Sequence, residues 1–141
     1  MKSDLDNKLV AVVRVRGKIG VRRSINETLS RLSLTRVNSV AMVFGTAPNL
    51  GMIRKCTDFV TFGEVSPEVL ERVLKRKGAK ATKEDINGLL SGEKKTKDVV
   101  ALPIRLKPPR HGYEDTKLSY SNGGTVGYRG EAINELLKRM S

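Results

Sequence analysis

The 141-residue chain contains one cysteine, one histidine and no tryptophan. A lone Cys56 closes no internal disulfide, which excludes a stapled secreted scaffold. Cys56 and His111 together supply two of the four N/S ligands that a structural zinc site needs. Aromatic residues make up 4% of the chain, too few to furnish stacking platforms for single-stranded nucleic acid. No apolar run approaches the ~20 residues of a membrane span. The opening Met1-Lys2-Ser3-Asp4-Leu5-Asp6 lacks the apolar stretch of a signal peptide, so the expected compartment is reducing and cytosolic. Acid is also scarce: 15 Asp and Glu stand against 27 Lys and Arg, a formal charge of +12. Apolar residues are 38% before the 13 glycines are added, an ordinary globular share that supports a packed core.

The basic excess is uneven. Between Lys8 and Lys55 lie Arg14, Arg16, Lys18, Arg22, Arg23, Arg31, Arg36 and Arg54, opposed by Glu27 alone. That segment carries +9 of the +12, while Glu68–Lys77 and Lys83–Asp98 mix both signs. Such polarisation suits a polyanion, and the short amphipathic stretches fit a core better than a lipid surface, so nucleic acid is the expected partner. Arginine predominates, and its planar fork grips phosphate oxygens in pairs and stacks on bases. Neighbouring acids are too few to account for these cations as salt bridges.

Leu9–Val13 is a β-branched apolar run that alternates into Arg14-Val15-Arg16, predicting a strand with both arginines on one face near its end. Ser24-Ile25-Asn26-Glu27 has the capping-box form, followed by Ile25, Leu29 and Leu32 on one helical face. Val37–Phe44 predicts a second strand. A loop over 45–49 then leads to a short helix around Met52, Ile53 and Cys56, and Phe59–Phe62 predicts a third strand ended by Gly63. Ser66-Pro67-Glu68 starts a helix with Val69, Leu70, Val73 and Leu74 inward. Thr82–Leu90 reads as another helix. Leu102, Ile104 and Leu106 form a strand that Pro103 pushes to a sheet edge. Pro108–Gly124 reads as a long polar loop, Thr125–Tyr128 as a strand, and Ile133, Leu136, Leu137 and Met140 as the inner stripe of a last helix. Helices packed on a small sheet give an α+β class.

Catalytic motifs fare poorly. Gly92-Glu93-Lys94-Lys95-Thr96 lacks the strand and spacing of a phosphate loop. Gly17-Lys18-Ile19-Gly20-Val21-Arg22-Arg23 could cradle a phosphate before a helix. It faintly resembles the loop of the acylphosphatases, but with a residue missing from the spacing and no counterpart for the water-positioning asparagine. His111 lies in a Pro/Gly loop and Cys56 on an apolar face, so no nucleophile meets a base. Glu84-Asp85 and Glu114-Asp115 read as helix-dipole complement and solubility. A second basic element, Arg105-Leu106-Lys107-Pro108-Pro109-Arg110-His111-Gly112-Tyr113, is stiffened by its prolines. It continues through Lys117, Tyr120, Tyr128 and Arg129 as a loop that would order itself on a partner.

Three blocks are similar to the archaeal branch of the large-subunit ribosomal protein L-thirty family, relatives of the eukaryotic L-seven proteins. They are Val12-Val13-Arg14-Val15-Arg16-Gly17, then Gly51-Met52-Ile53-Arg54-Lys55-Cys56-Thr57-Asp58-Phe59-Val60-Thr61-Phe62-Gly63-Glu64, then Leu106-Lys107-Pro108-Pro109-Arg110 with Lys117 and Gly123-Gly124. The resemblance implies a ferredoxin-like sandwich core over 1–78 and a C-terminal α/β extension over 79–141 packed on it. It also implies a place in the large (50S) subunit, contact with large-subunit rRNA near the 5S rRNA and with other ribosomal proteins, and neither catalysis nor a cofactor. The long basic arm of the eukaryotic proteins has no counterpart in Met1–Asn7, so arm contacts are not carried over. His111 departs from the small or basic residues usual at its position. The expected RNA-binding set is Arg14, Arg16, Lys18, Arg22, Arg23, Arg31, Arg36, Arg54, Lys55, Lys107, Arg110, His111, Lys117, Tyr120 and Arg129. An architectural DNA-binding protein, and more distantly an acylphosphatase-like enzyme, are the alternatives.

Overall fold

The computed structural model describes residues 8–17, 19–77, 83–92, 104–110, 112–113 and 115–140. Strand β1 (Leu9–Arg14) is buried along its whole length. It pairs antiparallel with β2 (Ser39–Phe44) on one side and β3 (Val60–Glu64) on the other. A central strand covered on both faces needs apolar side chains in both directions, which is why Leu-Val-Ala-Val-Val runs without polar alternation. Val10 and Val12 pack with Leu29, Leu50, Ile53 and Phe62 beneath α1 (Arg23–Arg31) and α2 (Ala47–Lys55). Leu9, Ala11 and Val13 face α3 (Pro67–Lys77), α4 (Lys83–Ser91) and α5 (Ile133–Met140). Strand β4 (Ile104–Arg105) joins β2 at one edge, and β6 (Gly124–Tyr128) lies parallel to β3. Strand β5 (Asp115–Ser119) is outermost, giving the order β4-β2-β1-β3-β6-β5. The class is α+β with a ferredoxin-like core, as expected, and residues beyond 100 supply strands at both edges of the same sheet.

Several local expectations change. Helix α1 begins at Arg23 with Arg22 as its N-cap and no side-chain cap bond. The Ile25 and Asn26 amides donate to the Arg22 carbonyl, so the backbone closes its own first turn and Ser24 lies inside the helix. The Ser66 start is as read: its hydroxyl accepts from the Val69 amide at 3.4 Å. Helix α2 starts earlier than expected, with Pro48 in its first turn. Gly63 stands inside β3 rather than ending it. The supposed loop 108–124 contains β5 and a 3-10 turn, Tyr120–Asn122. Asp-Thr-Lys-Leu-Ser has no alternating apolar pattern, and an outer strand held by backbone pairing needs none.

The carboxyl-terminal part is keyed into the sheet at β3. A β-carbon at Gly63 would collide with the Gly130 carbonyl and press on Ile133. Asn134 donates to the Glu64 carbonyl at 3.2 Å and accepts from the Ser66 amide at 2.9 Å. Cys56 is fully buried, its thiol 3.3 Å from the Met52 carbonyl, and burial pushes its pKa up to about 11. It is a core thiol, not a nucleophile.

Candidate nucleic-acid interface

Strand register decides where the cations go. Val13 faces Val40 and Arg14 faces Val60, so the finish of β1 and the starts of β2 and β3 share one end of the sheet. Helix α2 finishes there too, because Arg54 and Lys55 precede Val60 by one tight turn. Arg105 opposite Ser39 brings β4 out at the same end, where the Lys107 amide bonds the Met140 carbonyl that closes α5. Arg36, Arg54, Lys55, Arg105 and Lys107 are all exposed, as is Arg31 at the close of α1. Among the described residues, none of these six has a carboxylate within ion-pair range. Asp58, exposed in the turn between Lys55 and Val60, is an acid at this end, while Glu64, facing Val10, and Glu68 and Glu135, which open α3 and α5, stand at the opposite end. Part of this segregation complements the helix macrodipoles. Arg36, Arg105 and Lys107 lie outside helices and need another explanation.

Arg14 does not belong to this surface. It follows Val10 and Val12 on the α1–α2 side, and its side chain is 2% exposed. Nε donates to the Arg16 carbonyl at 2.9 Å and Nη1 to the Leu34 carbonyl at 2.7 Å. Burial lowers its pKa, partly offset by the nearby Cys56. The expectation that Arg14 and Arg16 act together as phosphate ligands is therefore corrected: Arg14 ties the turn after α1 to the strand end. Arg14→Ala should cost about 3 kcal/mol, because two carbonyls lose a charged donor and a large buried side chain leaves a void. A thermal melt should fall by roughly 10 °C, while the salt dependence of RNA binding stays that of the parent.

Arg16 is half-buried, 5.1 Å from the Phe59 ring centroid and within 3.4 Å of the Asp58 carbonyl. Arg22 is exposed, and Arg23 pairs with Glu27 at 3.4 Å in a solvent-exposed contact of small energetic weight. Arg110 is exposed in the segment that follows Lys107. Arg129 is engaged internally, with Nε bonding Thr61 Oγ1 at 2.8 Å and Nη2 the Thr125 carbonyl at 2.9 Å. Arg129 therefore braces β3 against β6 rather than a partner, while the exposed Tyr120 ring, its centroid 4.9 Å from the Arg129 guanidinium, stays open to solvent. Lys18, His111 and the Lys117 side chain lie outside the described residues. The sequence reading placed Arg105 in the second basic element but outside the RNA-binding set, and it missed Arg72, Lys138 and Arg139. Lys138 and Arg139 lie in the last turn of α5, where cations complement the helix dipole.

Among the described residues, no cluster of Asp, Glu, His or Cys is arranged to hold a metal ion, and no helix is long and apolar enough to cross a membrane. The family model for ribosomal protein L30p/L7e matches residues 10–60. A protein of Methanocorpusculum labreanum named large ribosomal subunit protein uL30 is 41% identical, the match covering 94% of this chain and 99% of the relative. Proteins of the same name from Thermoplasma volcanium and Methanobrevibacter smithii are 37% and 36% identical, covering 94% and 92% of the chain and 92% and 97% of the relatives.

Proposed function

Because the chain belongs to the ribosomal protein L30p/L7e family, we propose that it is a structural constituent of the large ribosomal subunit, working in the cytoplasm by holding folded rRNA. Its partners are rRNA and other ribosomal proteins, with the 5S rRNA region nearby. The observation that carries this reading is the carboxylate-poor end of the sheet bearing Arg31, Arg36, Arg54, Lys55, Arg105 and Lys107. Arg16, Arg22 and Arg23 extend it, Arg110 contacts rRNA apart from this end, and Lys18, His111, Lys117 and Tyr120 belong to the same proposal. Exposed cations from several rigid elements neutralise phosphates without reading bases, which suits recognition of RNA shape. The family is one of ribosomal proteins and not an enzyme class, and no catalytic step is assigned to any residue. The division into a core over 1–78 and an extension over 79–141 belongs to the same proposal. Neither DNA architecture nor acyl-phosphate hydrolysis finds support among the relatives.

Competition decides it. The full chain, mixed with large-subunit rRNA and duplex DNA at physiological salt, should partition to the rRNA and sediment with large subunits through a high-salt gradient. Equal affinity for both polymers, or loss from the subunit at salt that leaves other proteins bound, would overturn the reading.

A further inference from the structure

On the other side of the sheet, α3, α5 and the segment after β4 border an open pocket of about 210 Å³ lined by Arg72, Arg110, Lys138 and Arg139. Four cations from three separate stretches of chain converge on it. Arg139 is held in place: Nη1 donates to the Arg110 carbonyl at 3.2 Å and lies 3.4 Å from the Gly112 carbonyl. The Arg110 amide in turn donates to the Arg139 carbonyl at 3.2 Å. These bonds hold the backbone at Arg110 and Gly112 against the end of α5. Glu68 and Glu135 stand four residues before Arg72 and Arg139, the usual spacing for an intrahelical ion pair. Yet among the described residues no carboxylate comes within ion-pair range of Arg72, Arg110 or Arg139, and Glu71 is engaged by Lys75 at 3.4 Å. Helix-dipole complement accounts for cations in the last turn of α5, but not for Arg72 in the body of α3 or for Arg110 outside any helix.

We propose that this pocket seats a backbone phosphate of a second RNA segment, so that the protein grips rRNA on both sides of its sheet. The assignment rests on the function proposed above and adds a site to it. Guanidinium forks present paired N–H donors to two phosphate oxygens each, and a cavity with room for about seven waters admits a phosphate group. The basic rim at the sheet end passes through Lys107 directly to Arg110, which makes the pocket continuous with that rim on the far layer.

The test compares Arg72→Gln/Arg110→Gln with Arg54→Gln/Lys55→Gln in the full chain, measuring binding to large-subunit rRNA across a salt series. Arg139 is left alone because it holds the backbone. The four altered side chains are exposed, so melting curves should stay within a few degrees of the parent, and Arg72→Lys should restore most of the binding. The pocket pair should weaken binding about tenfold and reduce the salt slope by about 1 to 2, since fewer counterions are released. The effects of the two pairs should add. A parental slope in the pocket variant, with a reduced slope in the Arg54/Lys55 variant, would overturn the pocket and leave the first surface standing. The reverse result would keep the pocket and remove the first surface. Parental slopes in both variants would remove both.

Discussion

Replacing Arg31, Arg36, Arg54 and Lys55 together with glutamine will weaken binding to large-subunit rRNA by about 10²–10³-fold near physiological salt. The salt slope will fall by about 3 to 4. Each phosphate neutralised contributes close to 0.9 to that slope, because a bound cation displaces condensed counterions. The four side chains are exposed and, among the described residues, free of carboxylate partners, so glutamine removes charge without exposing a buried group. The protein should melt no more than several degrees below the parent, since Arg31, Arg54 and Lys55 complement helix carboxyl ends, each worth about 0.3–1 kcal/mol at low salt and less when screened. Equilibrium titrations at several salt concentrations check this directly. A variant that keeps the parental slope would show that the polymer lies elsewhere.

The second large effect concerns stability. Gly63→Val should cost about 3 kcal/mol and lower the melting midpoint by roughly 10 °C. Strand β3 is fixed between β1 and β6, and the atom that a β-carbon at 63 would strike is the Gly130 backbone carbonyl, not the flexible tip of a side chain. Neither backbone can withdraw without breaking sheet pairing or the Asn134 bonds to Glu64 and Ser66. Hydrogen exchange should therefore rise first in β6 and α5. Gly51→Ala provides the control: that glycine sits in α2 with open space around it, and alanine there should add up to about 1 kcal/mol of stability. Equal melts for the two variants would mean that β3 and α5 are less closely packed than they stand here.

Much of the architecture was readable from local pattern. The apolar run at Leu9–Val13, the hydroxyl–proline–acid start at Ser66-Pro67-Glu68 and the stripe ending at Met140 each state their element in a few residues, because burial on a strand or helix leaves a short period. Strand β5 left none, since its place is secured by backbone pairing at an edge. The start of α1 was misread because Ser24 and Glu27 match a capping pattern that the Arg22 carbonyl makes unnecessary.

Composition and order along the chain determined that the protein is a compact, strongly basic α+β domain suited to a polyanion, since charge sums and hydrophobic periods survive without coordinates. Which cations face solvent was decided only by tertiary structure. Arg14 and Arg16 are two residues apart, yet one is sealed beneath α1 and α2 and the other stacks on Phe59. Arg72, Arg110 and Arg139 are far apart in the chain, yet they line one pocket. The end of β1 at Arg14 and the packing of α3, α5 and the segment after β4 set these positions, and each depends on partners distant in sequence.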